Sequence, residues 1–149
     1  KRISCLVQKH KFTKAQIREI EAGFRELYKN NYSEEKLKVF WTIFPEGSAY
    51  AERKPSNGTI ILIEVDEEVR REKREELMGL YSQFLFKNYN ISLLDTIITV
   101  ANTSWVESFL AAQQKRIHPR YRAWIGFKTM FTALTSKWTH GFLRLRVKY

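Results

Sequence analysis

Few residues of this 149-residue chain are of types, and at spacings, that point to chemistry. It holds no Gly-rich phosphate loop, no H-E-x-x-H, no pair of cysteines and no Ser–His signature. His10, His118 and His140 are too scattered to suggest a metal site, and nothing implies a cofactor. Amines and guanidinium groups are abundant, and no spacing of their own singles any of them out. Lys1 carries two amines. A primary α-amine has an ordinary pKa of about 7.7–8.0 and exchanges protons near neutral pH, and either amine forms a Schiff base with a carbonyl compound. Arg70 and Arg71 stand side by side in a stretch that opens a helix. An arginine fork matches a carboxylate, and free N–H groups at a helix start favour anions. A solvated lysine and a solvated first helical turn are the bland readings of the same residues.

The elements that must position these groups are organised around Thr59–Tyr81. There the apolar run Ile60–Ile63 ends at Asp66, and an acidic turn opens a helix over about Glu67–Lys87. The same grammar occurs 57 positions earlier. Ile3–Val7 is apolar, Thr13 opens a helix, and Ile17, Ile20, Phe24 and Leu27 follow at helical spacing. Under that shift Ile3 meets Ile60, Ile20 meets Leu77, Phe24 meets Tyr81 and Leu27 meets Phe84. Thr13 with Gln16 makes a capping box for the first helix. Each helix runs into a second apolar stretch, Lys38–Phe44 in the first copy and Thr96–Val100 in the second. Trp105–Gln114 reads as a short helix. A fixed internal period of this kind predicts tandem β-α-β units. The fold class is therefore α+β: a four-stranded sheet with two helices on one face, whose strands are apolar on both faces. Two helices cover one face only. Cyclic association through the other is the simplest solution.

The totals fit one domain with a real core, at 44% hydrophobic and 14% aromatic residues. The lone Cys5 lies inside the first strand and reads as a small buried hydrophobe. No run of about 18 apolar residues exists to span a membrane, and no membrane partner is expected. The start KRISCLVQKHKF lacks the apolar core of a signal peptide, which makes the cytoplasm the default. Four N-x-S/T triplets, at Asn31, Asn57, Asn90 and Asn102, then read as coincidence.

The order and spacing of KRISCLV, FTKAQ, SNGTIILIEVDEEVRREK, NISLLDTIITVAN and WVESF resemble the tautomerase superfamily over about residues 1–111. The long fused forms, such as the cis-3-chloroacrylic acid dehalogenase and malonate semialdehyde decarboxylase groups, are the most similar. The resemblance implies two repeats, about 1–56 and 57–111, a homotrimer, and a pocket for a small 2-oxo or enol acid. In that family an amino-terminal proline is the general acid or base. Lys1 stands in its place here, and the resemblance makes it the acid/base amine. It also assigns Arg70, with Arg71 beside it, as the carboxylate grip, since Glu67 falls where a first arginine stands in the family. Tyr28 replaces a histidine on the first helix, and Glu107 matches a water-activating glutamate only with a gap; both are read as polar helpers. Val100 replaces a tyrosine, so dehalogenation is not expected. A member that has lost the proline, and serves only in ligand binding or assembly, is the alternative reading.

Residues 1–111 carry 17 Lys+Arg and 16 Asp+Glu, whereas residues 112–149 carry nine Lys+Arg and no acid. This tail interleaves cations with Tyr121, Trp124, Phe127, Phe131, Trp138 and Phe142. It reads as an extension that wraps a neighbouring subunit, as a cationic lid over the pocket, or as partly disordered. Binding to single-stranded nucleic acid is the least favoured reading of this composition. The alternation Phe142–Val147 reads as an edge strand.

Overall fold

The computed structural model describes residues 1–51 and 54–145. In chain order the elements are β1 (Arg2–Gln8), α1 (Lys14–Asn31), β2 (Lys38–Phe44), β3 (Tyr50–Ala51), β4 (Lys54–Pro55), β5 (Thr59–Val65), α2 (Arg71–Tyr89), a 3₁₀ turn (Leu93–Asp95), β6 (Thr96–Asn102), α3 (Thr103–Lys115), α4 (Pro119–His140) and β7 (Leu143–Leu145). The main sheet runs β6-β5-β1-β2-β7, and β3 and β4 form a small hairpin beside it.

The two β-α-β units meet along the antiparallel pair β1–β5, where Ile3 faces Ile63 and Leu6 faces Ile60. That register is reciprocal under the 57-residue repeat: each residue of one copy faces its partner's counterpart in the other. The repeats are thus related by a local two-fold between β1 and β5. Phe24 and Tyr81, equivalent in the two copies, lie near the same axis with ring centroids 4.9 Å apart. The Tyr81 hydroxyl donates to the Phe24 carbonyl at 3.0 Å, which satisfies the one polar atom of that buried side chain.

Each helix forms where its sequence signals it. Thr13 and Gln16 make the capping box of α1, with both reciprocal hydrogen bonds present. Asn90, in the left-handed conformation asparagine tolerates, ends α2. The helices cover one sheet face. Ile3, Cys5, Val7, Val39, Trp41, Ile61, Ile63 and Val65 point under Ile17, Ile20, Phe24, Leu77 and Leu85, and all are buried. Ile98 and Val100 of β6 pack at the edge of this core. The opposite face bears Leu6, Phe40, Leu62 and the exposed Ile60 and Ile97, the last 60% exposed.

The sheet has five strands rather than the four read from the repeats, because the chain after β6 returns to it. β7 pairs parallel with β2, Trp41 opposite Arg144. Gly141, at φ +83°, makes the turn from α4 into β7. Buried Ser136 locks that turn: its hydroxyl accepts from the Arg144 N–H at 2.8 Å and donates to the Ala133 carbonyl at 2.7 Å. Phe142–Leu145 is thus an edge segment, and the rest of the alternation, Arg146 and Val147, lies outside the described residues.

Candidate functional site

Lys1 sits where the sheet geometry gathers three chain ends. β1 runs antiparallel to β5, so the first residues of β1 lie beside the last of β5 and the Asp66 that follows. β6 runs parallel to β5 with Asn102 opposite Val65, which brings Thr103 alongside. Tyr32 arrives from the C-terminal end of α1. The Lys1 ammonium donates to the Asp66 carboxylate and to Thr103 Oγ1, the latter at 3.3 Å. The Thr103 hydroxyl in turn donates to the Val65 carbonyl at 3.2 Å. Tyr32 holds Asp66 from the other side.

This arrangement sets the charges. The hydrogen bond to Asp66 holds the Lys1 ammonium above its ordinary range, against a smaller opposing effect of burial. The Lys1 ammonium first, and the Tyr32 hydroxyl second, hold the Asp66 carboxyl below the usual carboxylate range. Lys1 Nζ is therefore a fixed cation at neutral pH and no base. The α-amino nitrogen takes part in no ion pair among the described residues.

Beside it opens a cleft of about 230 Å³ lined by Lys1, Arg2, Lys38, Phe40 and Glu64. The Lys38 N–H donates to the Lys1 carbonyl at 3.0 Å and fixes one wall. Buried Glu64 accepts from Arg2 Nε, so its charge is already matched. With Lys1 paired to Asp66 and Arg2 to Glu64, Lys38 is the one lining cation that pairs with no carboxylate among the described residues.

The other residues singled out from sequence lie elsewhere. Tyr28 is buried; its hydroxyl donates to the Glu64 carbonyl at 3.3 Å, and burial pushes its phenol far up. Arg70 is the exposed N-cap residue of α2, with no side-chain capping bond. The Arg71 side chain is 86% exposed and pairs with Glu75 at 2.7 Å. Glu107 is exposed on α3 and makes no side-chain hydrogen bond among the described residues. Glu67 accepts from the Ser104 N–H at 2.8 Å and so serves the start of α3. Of the five residues, only Lys1 lines the cleft. Sequence reasoning missed Arg2, Lys38, Glu64, Asp66, Tyr32 and Thr103 as its neighbours. The signal for Arg2, Glu64 and Asp66 was the antiparallel pairing of the two first strands.

No family model matches the chain, and no curated protein matches it in sequence. Solved structures do match its fold. The native structure of Ps01740 is 12% identical with a TM-score of 0.65, over 70% of this chain and 97% of that one. N1, described as a member of the cis-3-chloroacrylic acid dehalogenase family, is 6% identical with a TM-score of 0.64, over 68% and 74%. Q0 fused 4-OT, described as a wild-type symmetric trimer, is 6% identical with a TM-score of 0.59, over 68% and 85%. At such identities the likeness is one of fold. The chain shares the fold of these structures, the fold that its resemblance to the tautomerase superfamily implies.

Proposed function

We propose that the chain is a tautomerase-superfamily protein whose Lys1 cleft takes a small carboxylate-bearing carbonyl or enol compound, with the Lys1 α-amine as the group that moves the proton. One observation carries this reading: Asp66 and Thr103 engage the ε-ammonium, which fixes Lys1 at the cleft and leaves the α-amine outside any ion pair among the described residues. Lys38, which pairs with no carboxylate among the described residues, offers a place for the substrate carboxylate beside the paired Lys1 and Arg2. Arg70 and Arg71, on exposed positions before and in the first turn of α2, reach a ligand only in an assembly that brings another surface to them. Tyr28 then acts through Glu64, whose carbonyl it bonds, rather than on substrate.

The uncovered sheet face supports association into a homotrimer, the state described for Q0 fused 4-OT. No helix among the described residues is long and apolar enough to cross a membrane. The single buried thiol of Cys5 suits a reducing compartment such as the cytoplasm.

The test is ketonisation of a 2-oxo acid enol, followed by absorbance, together with intact mass and N-terminal sequencing of the same sample. Turnover by chains with a free Lys1 α-amine supports the reading. Equal turnover by chains whose α-amine is acetylated refutes the mechanism, and no turnover by free chains leaves ligand binding or assembly as the role of the fold.

A further inference from the structure

Two adjoining cavities lie between α4 and the β2–β7 edge of the sheet. One, of about 670 Å³, is walled by Leu37, Phe40, Met130, Leu134 and Phe142. The other, of about 660 Å³, is walled by Ile117, Ile125, Gly126 and Leu145. Phe40, Met130 and Ala133 line both, so the two form one trough under the helix. The trough is open to solvent along α4, where Met130 and Leu134 are more than half exposed, and ligand sites are concave, mostly apolar clefts of this kind.

Most of the charge lies along the first cavity, where Arg25, Lys36, Lys38 and Lys137 stand with one carboxylate, Glu21. Glu21 is already bonded to Arg25. Lys36, Lys38 and Lys137 pair with no carboxylate among the described residues. The second cavity has a single cation, Arg122, and its guanidinium donates to the carbonyls of Ile117 and Lys115. The trough is thus apolar along its length and cationic at one end.

We infer that this trough binds an amphipathic carboxylate of medium chain length, with its head among Lys36, Lys38 and Lys137 and its hydrocarbon tail under α4 toward Ile117 and Ile125. A small anion would leave the apolar walls uncovered. Nucleic acid needs exposed aromatic faces to stack on, and those of Trp124, Phe127, Phe131 and Trp138 are exposed rather than lining the trough. The trough borders the Lys1 cleft at Lys38 and Phe40, but nothing in the inference depends on proton transfer at Lys1.

The test is calorimetric titration of the full chain with hexanoate, octanoate and decanoate, and with decanol as the uncharged probe. One saturable site is expected, with affinity rising about three- to fourfold per added methylene until the trough is full. Decanol should bind at least about tenfold more weakly than decanoate. Lys137→Glu should weaken decanoate about tenfold and leave decanol unchanged. A Cβ at Gly126 meets nothing within 4 Å, so Gly126→Leu grows into the second cavity and also improves helix propensity. It should leave hexanoate unchanged and weaken decanoate at least about tenfold, with the circular dichroism intact. If Gly126→Leu misfolds, Lys137→Glu at its exposed position still decides the matter. No saturable binding, affinity independent of chain length, equal binding of decanol and decanoate, or indifference of decanoate to Lys137→Glu would each overturn the inference. So would an oligomer that Gly126→Leu dissociates, since a second copy would then fill the trough.

Discussion

The Tyr32 hydroxyl donates to Asp66 Oδ2 at 2.7 Å and accepts from the Asp66 backbone N–H at 2.8 Å. One side chain thereby fixes both the carboxylate and the backbone of the residue that engages Lys1. Tyr32→Phe removes both bonds and keeps the ring against Tyr28, 4.9 Å away between centroids. A hydrogen bond to a charged group is worth about 1.5–3 kcal/mol, less where water reaches it. The Asp66 side chain is 54% exposed, so a loss of about 1 kcal/mol in urea unfolding is expected. An unchanged urea midpoint would mean that water replaces the hydroxyl and that Tyr32 does not position Asp66.

The same pair predicts a pH profile. The Asp66 carboxyl is held below its ordinary value, so its contribution is present above about pH 4 and lost as pH falls through the lower folded value. The Lys1 ammonium is held above its ordinary value, so its contribution is present below about pH 10.4 and lost as pH rises through the higher folded value. The thermal midpoint should therefore owe a constant share to this pair between about pH 5 and pH 9. Asp66→Asn should lower the midpoint across that range, with the gap to wild type closing below about pH 4. A gap that stays constant down to pH 2 would show that the ion pair contributes nothing to folding.

The repeat made most of the core legible from sequence, because apolar periodicity and capping act locally. Lys38–Phe44 and Thr59–Val65 are strands over those residues, and Thr13 caps α1 as its box implies. The start of α2 is a different case. Its acidic stretch looks like a first helical turn from Glu67, yet the helix begins at Arg71. Asp66 and Glu67 are drawn off to Lys1 and to the Ser104 N–H, long-range partners that local pattern cannot see. The helix α4 was illegible for another reason. Its buried residues are the small Ala133 and Ser136, while Trp124, Phe127, Met130 and Phe131 are exposed, so no apolar stripe in the sequence marks a core-facing side. Tyr28 shows the limit for the site: its position on α1 followed from spacing, but its burial followed from the two helices closing over β5.

Where α1 crosses α2, a Cβ at Gly23 would run into the Phe84 ring. That ring is wedged between Phe24 and Tyr89, at centroid distances of 5.8 and 5.9 Å, and cannot swing away freely. Overpacking costs about 1–3 kcal/mol, against a helix-propensity gain of about 1 kcal/mol for replacing glycine by alanine. Gly23→Ala should therefore destabilise by up to about 2 kcal/mol in urea unfolding. In a Phe84→Leu background the same change should be neutral or stabilising, a coupling that a double-mutant cycle measures. Simple additivity would show that the two side chains do not contend for the same space.

Ile97 and Ile60 lie on the sheet face that the helices leave uncovered. If copies associate there, Ile97→Lys buries a charge in the interface and should reduce the assembly to monomers by sedimentation. Within one protomer the position is exposed, so the secondary structure should survive and the intrinsic stability should change by no more than about 0.5 kcal/mol. A trimer that persists with Ile97→Lys would move the contact to another surface, with the exposed aromatic side chains of α4 next in line.

The two amines of Lys1 are separable by substitution. Lys1→Ala deletes the ε-ammonium, and with it the bonds to Asp66 and Thr103, but keeps a primary α-amine. If the α-amine moves the proton, Lys1→Ala should keep measurable turnover of a 2-oxo acid enol, with a raised KM because one cleft cation is gone. Borohydride in the presence of a 2-oxo acid should then trap the N-terminal nitrogen in both wild type and Lys1→Ala, as mass spectrometry of the first peptide would read. Acetylation of that nitrogen should abolish both turnover and trapping. Lys1→Pro, a secondary amine, should also turn over enol, and borohydride should trap its ring nitrogen by reducing the iminium that it forms with the 2-oxo acid. Trapping at Nζ alone, lost in Lys1→Ala, would mean that the lysine side chain leaves Asp66 to do the chemistry and that the α-amine is a bystander.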